Sequence, residues 1–235
     1  TNPGSNKQVA AEIDRFAPVN SNKGVKDCWS DHYAIIKAAN FIIQNASKTP
    51  TDAASLNQAI DQAKFWRAYA YFTLVRLFGD IPLTLTNEND DFTMKPSSVE
   101  QVYEQIVADL TSDECEGLPA SYKNAPAFLN GVNVYVTKQA VEATRAAVYM
   151  AMAGWPLGKG TAYYKKAADE AKKVIEGECN GIYDIRMDEN FYDVYAMSNN
   201  YNKETILGIN YSPNVDWVQD SQLTSCDQFE SLGGW

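Results

Sequence analysis

Residues Gln62 to Thr84 read QAKFWRAYAYFTLVRLFGDIPLT. From Ala63 to Phe78 the apolar residues fall on nearly every face of a helix instead of one stripe, which predicts a helix enclosed by other helices. Gly79 can take the left-handed conformation just past the helix end, and Pro82 prevents the helix from resuming. Upstream, Pro50 interrupts the chain, and Thr51 or Asp52 is the expected N-cap of a helix that continues, amphipathic in its first half, to Phe78.

Outward from this helix the chain is organised mostly as further helices. Thr1 to Lys26, rich in Asn, Lys, Ser and Gly, reads as loop. Tyr33, Ile36, Asn40, Phe41 and Ile43 then recur at helical spacing after a possible Ser30 N-cap, which predicts a helix to about Ala46. After the polar stretch Asn87 to Lys95, Ser97 and Glu100 form an S-x-x-E capping box. Val99, Val102, Tyr103, Ile106 and Leu110 follow as one apolar stripe, with the helix ending near Gly117.

Ala120 to Val136 reads as loop with a short extended piece at Val132 to Val136. Thr137 caps the next helix, whose Ala140, Val141, Ala147, Val148 and Ala151 permit close packing before Gly154 stops it. Ala162 to Glu176 forms the last helix, with Tyr163, Ala167, Ala171, Val174 and Ile175 facing inward. Residues 137 to 177 therefore resemble a tetratricopeptide hairpin, although the strict repeat is absent and a plain helical bundle is the alternative. Beyond Gly181, Thr205 to Tyr211 alternates as a strand does, and Ser212 to Trp235 has no helical period.

Bulk properties exclude several functions. A chain of 235 residues with 45% hydrophobic residues can bury a substantial core. Its formal charge of −10 opposes binding to a phosphate backbone, so nucleic acid is not an expected partner. Ala68 to Phe78, the most apolar run, is too short to cross a bilayer and contains Arg76, and Thr1 to Lys7 lacks the apolar segment of a secretion signal. Any such signal is expected to precede this sequence.

Catalytic and metal-binding patterns are equally sparse. Cys28, Cys115, Cys179 and Cys226 form no C-x-x-C pair, so no zinc ribbon or redox pair is expected; disulfides with three possible connectivities and free thiols both remain open. The single histidine, His32, has no G-x-S-x-G elbow to serve, and the phosphate-cradling glycine patterns are missing. Two acidic groups, Glu88 with Asp90 and Asp91, and Asp113 with Glu114 and Glu116, lie in polar contexts and read as solvated surface; neither a cofactor nor a metal is expected.

Aromatic content carries more information. Fourteen Tyr, nine Phe and five Trp make 12% of the chain, and flat rings flanked by amides or carboxylates suit sugars, which present apolar C–H faces and dense hydroxyls. Trp66, Tyr69 and Phe72 read as core, and Trp29 and Trp155, beside helix ends, read as packing. Trp217 and Trp235 lie in irregular sequence near Asn210, Asn214, Asp216 and Asp220, where exposed aromatic surface is plausible.

The quoted segment closely resembles the most recognisable part of SusD/RagB proteins, an E-A-x-x-x-R-A helix with aromatics ending in L-x-x-x-F-G-D-x-P. Gln62 departs from the family's usual Glu. Trp29, Tyr33, Ile36 and Asn40 resemble the family's W-x-x-x-Y-x-x-I-x-x-x-N helix, and Ser98 to Leu110 its following helix. Thr137 to Gly154 with Tyr164 to Ile175, and Asn202 to Tyr211, are similar to its later helices and its N-x-E-x-I-x-x-I-x-Y strand.

This resemblance implies a mostly α fold of TPR-like hairpins, the SusD-like α superhelix, with a few short strands and long loops. It implies one domain over 1–235: a loop-rich segment at 1–28, TPR-like helices at 29–177, and a strand-and-loop ligand-binding region at 178–235. Family chains are longer, so the C-terminal part of the fold is expected to be missing. By the same resemblance the protein binds glycans without enzymatic activity and is lipid-anchored on the extracellular face of the outer membrane. Its implied partner is a SusC-like TonB-dependent transporter. Trp217, Trp235 and Asp216, with Asn2 and Asn6 from the N-terminal loop, are the implied ligand contacts. The competing expectations are a RagB-like peptide receptor, a helical glycoside hydrolase and a TPR-like scaffold for protein assembly.

Overall fold

The computed structural model describes residues 8–87, 93–112, 117–120, 128–129, 132–133, 135–176, 187, 189–196 and 204–208. Among them are helices α1 (Gln8–Asp14), α2 (Lys23–Asn45), α3 (Ala53–Phe78) and α4 (Val99–Leu110). A two-residue antiparallel pair, β1 (Phe128–Leu129) with β2 (Val132–Asn133), precedes α5 (Lys138–Ala153), α6 (Thr161–Glu176) and the single turn α7 (Phe191–Val194). From α2 to α6 each helix packs chiefly on its neighbours in the chain, which is the stacking expected of TPR-like hairpins. The mostly helical fold follows the sequence reading.

Local chemistry sets the helix ends, and in three places it differs from expectation. α2 starts at Lys23, well before Ser30, because Asn22 is its N-cap: Asn22 Oδ1 accepts from the Val25 N–H at 3.2 Å. The Asn22 amide also donates to the Val9 carbonyl and the Glu12 carboxylate, tying α1 to α2. A Cβ on Gly24 would stand 2.8 Å from Val9 Cγ1, so glycine permits this approach. Residues that looked like loop by composition are thus a helix, a cap and a second helix.

The second difference lies at α4. Ser97 exchanges both backbone hydrogen bonds with Ile81, leaving Ser98 as the first residue free to cap. Ser98 and Gln101 form the capping box, one position after the expected Ser97 and Glu100. Third, α4 ends at Leu110 instead of near Gly117, where the Thr111 and Ser112 hydroxyls donate to the Val107 and Asp109 carbonyls.

Two expected caps hold. Asp52 caps α3 by accepting from the Ser55 N–H at 2.9 Å, and Thr137 caps α5. Gly79 ends α3 with the positive φ expected of it, 72°, but its ψ of −124° differs from the expected left-handed helical conformation and lies in a region that only glycine tolerates readily. The enclosure expected of α3 is only partial: Phe65, Ala68, Tyr71, Phe72, Leu74 and Val75 are buried on one broad face, whereas Tyr69, Arg76 and Leu77 are exposed on the other, which no helix covers among the described residues. Phe41 and Ile175, expected inward, are exposed because Ile36 and Asn40 on α2, and Ala167 and Val174 on α6, occupy the packed faces.

A buried polar network fastens the stack. Arg67 on α3 donates from Nε and Nη2 to the two Asp109 oxygens on α4, at 2.8 and 2.6 Å, and from Nη1 to Asn40 Oδ1 on α2 at 2.8 Å. Asn40 Nδ2 continues to the Thr84 carbonyl, whose oxygen also accepts from the Tyr71 hydroxyl. Gln105 donates a further bond to Asp109. A second such knot joins α4, α5 and α6: Arg145 donates twice to Glu170 Oε2 and once to the Leu110 carbonyl.

Gln62 makes sense of its departure from Glu. Its amide donates to the Val136 carbonyl at 3.0 Å while its oxygen accepts from the Val136 N–H at 2.9 Å. An ionised carboxylate has no donor and could satisfy only half of that pair.

Two predictions follow from this packing. Asp109→Ala leaves the buried Arg67 without its counter-ion and should cost about 3–5 kcal/mol, whereas Arg67→Met combined with Asp109→Leu should cost far less; urea unfolding of both variants checks the difference. Burial pushes the Glu142 carboxyl above its ordinary value, only partly offset by Lys138, Lys173 and Arg145. A raised folded-state value means that stability is fully present below the unfolded value and declines as pH rises through the folded one. Glu142→Gln should therefore flatten the decline measured as pH rises from about 4, the ordinary carboxylate value, and an unchanged slope would remove Glu142 as its source.

Candidate functional site

His32 and Cys28 on α2, the residues a nucleophilic mechanism would call on, are engaged with each other and with the backbone. His32 Nδ1 lies 2.7 Å from the Cys28 carbonyl oxygen one helical turn back, and a carbonyl only accepts, so that nitrogen carries the proton. It therefore cannot serve as a base toward the Cys28 thiol 3.7 Å away, whose pKa burial and Asp31 push upward. Among the described residues no group of three or more His, Cys, Asp or Glu side chains is placed to hold a metal ion. None of their helices is long and apolar enough to cross a membrane.

Aromatic side chains divide sharply between packing and display. Trp29 is half-buried against Tyr33 and Phe78, with ring centroids 4.9 and 5.0 Å away, the packing role expected of it. Of the aromatics expected in the core, Phe72 is buried and Trp66 is half-buried, packing edge-on against Phe65 and Tyr69, but Tyr69 lies on the open face of α3 and is exposed. Trp155 departs from its expected packing role, being 92% exposed in the turn between α5 and α6.

The expected ligand contacts Asn2, Asn6, Asp216, Trp217 and Trp235 lie outside the described residues, as do Asn210, Asn214, Asp220 and both acidic groups. Of the expected strand Thr205–Tyr211, the described residues 205–208 form no strand: residues 206 and 207 make a bend, with Ile206 and Leu207 packed against the core, and the remainder lies outside the described residues.

One displayed group had no place in the sequence reading. Phe191 and Tyr192 on the single turn α7, and Tyr195 immediately after it, are 69%, 82% and 74% exposed. Asn190 caps that turn by accepting from the Tyr192 N–H at 3.2 Å, which fixes the three side chains on one short segment. Phe191 touches both partners in edge-on geometry, its ring centroid 6.3 Å from Tyr192 and 5.3 Å from Tyr195. Exposed Glu189, Asn190 and Asp193 surround the rings with hydrogen-bonding groups. The cluster offers flat apolar faces beside amide and carboxylate oxygens, a combination able to hold a ring with one C–H face and many hydroxyls. The available signal was the cap-and-aromatics string Asn190-Phe191-Tyr192-Asp193-Val194-Tyr195, too short to stand out by helical periodicity.

Comparison with known proteins assigns the class. Residues 5–150 match the SusD-like family described as starch-binding and associating with the outer membrane. A SusD-like protein of Formosa agariphila is 32% identical over 206 residues, covering 85% of this chain and 36% of the relative. A SusD superfamily protein from Parabacteroides distasonis superposes with a TM-score of 0.61 at 30% identity, over 71% of this chain and 34% of the other. A structure solved with xylogluco-oligosaccharide gives a TM-score of 0.74 at 23% identity, over 91% of this chain and 41% of the other. The fold is thus that of the helical SusD-like proteins. This chain belongs to the SusD-like family, and it spans about a third of the length of the curated relatives it matches.

The division between packed and displayed aromatics is measurable. Trp29→Ala should lower stability by about 2 kcal/mol or more, since it empties contacts to two rings. Tyr192→Ala should stay within about 0.5 kcal/mol of the parent in thermal or denaturant unfolding, as expected of a surface side chain.

Proposed function

We propose that this chain is part of a surface glycan-binding protein that captures oligosaccharides or polysaccharides for import through a SusC-like TonB-dependent transporter. In this reading the complete protein is lipid-anchored on the extracellular face of the outer membrane. It breaks no bond: its task is to raise the local concentration of sugar at the transporter. The observation that carries the proposal is the exposed group Phe191, Tyr192 and Tyr195 on a SusD-like framework. A neighbour of the same fold was solved with xylogluco-oligosaccharide, which supports a saccharide as the ligand class. Trp217, Trp235, Asp216, Asn2 and Asn6 are proposed as further contacts.

Stacking explains why aromatic display suits this task. Removing a sugar's C–H face and a ring face from water stabilises the complex without fixing linkage, while nearby amides and carboxylates select hydroxyl orientation. Affinity electrophoresis through gels containing xyloglucan or soluble starch tests the proposal directly. Wild-type protein should be retarded, and Tyr192→Ala, Trp217→Ala and Trp235→Ala should each weaken binding by about fivefold to tenfold, equivalent to about 1–1.4 kcal/mol. Tight binding to a peptide library with no retardation by any glycan would overturn the glycan reading. Appearance of new reducing ends on incubation with the same polysaccharides would overturn the claim that no bond is broken.

A further inference from the structure

We infer that Trp155 is a second sugar-stacking platform, on a different loop from the Phe191, Tyr192 and Tyr195 group; this rests on the glycan-binding reading above. Trp155 sits in the turn Gly154 to Gly160 between α5 and α6, and it is 92% exposed. An indole gains more from burial than most side chains, and among the described residues its outward face is uncovered. The same turn has an inward apolar position, and Leu157 fills it against the core.

The turn is firmly held. Gly158 N–H donates to the Gly154 carbonyl at 2.7 Å, Lys159 N–H to Met152 at 3.1 Å and Gly160 N–H to Ala153 at 3.0 Å. The Gly160 carbonyl accepts from the N–H groups of both Tyr163 and Tyr164, and the Lys159 ammonium pairs with Glu100 on α4. A platform fixed before the ligand arrives loses little conformational freedom when a sugar stacks on it.

Its surroundings favour a neutral, hydroxyl-rich partner. The half-exposed Tyr164 places its hydroxyl 3.7 Å from where a Cβ on Gly154 would stand, beside the backbone that carries Trp155. Lys159 and Glu100 add charged hydrogen-bonding groups that already neutralise one another. With a formal charge of −10, the chain disfavours nucleic acid and anionic lipid surfaces as occupants. A pyranose can lay its C–H face on the indole with the Tyr164 hydroxyl on the adjoining backbone as a hydrogen-bonding neighbour.

Two contacts on one polymer act through effective concentration, so the second is felt mainly with long ligands. The test compares wild type, Trp155→Ala and Trp155→Phe as full chains, by affinity electrophoresis in xyloglucan or starch and by calorimetry with a short xylogluco-oligosaccharide. Trp155→Ala should weaken polymer binding by about tenfold and leave oligosaccharide binding within about twofold, while Trp155→Phe should keep most of the polymer affinity. Trp155→Ala matching wild type on every polymer that wild type binds would overturn the inference and leave the proposed function intact. A wild type that binds no glycan would overturn both. Fluorescence supplies a readout independent of the alanine variant: polymer should shift wild-type emission by a component missing in Trp155→Phe, and identical shifts in the two proteins would reject the platform.

Discussion

The fold depends on the need to satisfy one buried guanidinium. Arg67 sits on the buried face of α3 among apolar neighbours, and a buried cation without partners would be strongly destabilising. Its planar donor fork meets that need with both oxygens of Asp109 from α4 and the Asn40 carbonyl oxygen from α2. Three helices are therefore held in one register by directional bonds, where hydrophobic contact alone would permit sliding. Asn40 also donates to the Thr84 carbonyl, so the exit strap after Gly79 is fixed by the same knot.

That strap governs what comes next in the chain. Ile81 pairs with Ser97, Asp80 accepts from the Val99 N–H, and the start of α4 is thereby set by the end of α3. The second knot, Arg145 with Glu170 and the Leu110 carbonyl, repeats the device one hairpin later. A stack fastened in this way can present side chains from its turns without spending its core on them. Trp155 and the α7 aromatics are such side chains, and the rigidity beneath Trp155 comes from backbone bonds that the adjacent helix ends supply. A protein that captures sugars by stacking needs flat surfaces held still more than it needs reactive groups.

Much of this was legible in the sequence because helices announce themselves by period and punctuation. The run from Ala63 to Phe78, closed by Gly79 and Pro82, specified a largely buried helix and its end, and with the flanking motifs it identified the family, although the face of Tyr69 and Leu77 is open. Asp52 and Thr137 were readable as caps because a short polar side chain immediately precedes an apolar repeat. The α1–α2 region was not readable, since Asn22 and Gly24 look like loop residues until Val9 and Glu12 stand beside them. The α4 cap was misplaced by one residue because the Ile81–Ser97 pairing, a contact across the exit strap, decided which serine was free.

For the site, the sequence determined the kind of side chain and the tertiary structure decided its use. Composition alone pointed to aromatic stacking, since a tryptophan or tyrosine has the same ring wherever it lies. Whether that ring packs or is displayed depends on what other elements bring to it: Phe78 and Tyr33 cover Trp29, whereas Leu157 takes the inward position beside Trp155 and leaves the indole in solvent. Phe191, Tyr192 and Tyr195 escaped notice for the same reason, because one turn of helix carries no periodic signal and exposure is a property of neighbours. The sequence by itself determined the long helices α3, α5 and α6, the caps Asp52 and Thr137, and the family. Only the tertiary structure separated core aromatics from displayed ones, because burial is settled by contacts between segments far apart in the chain.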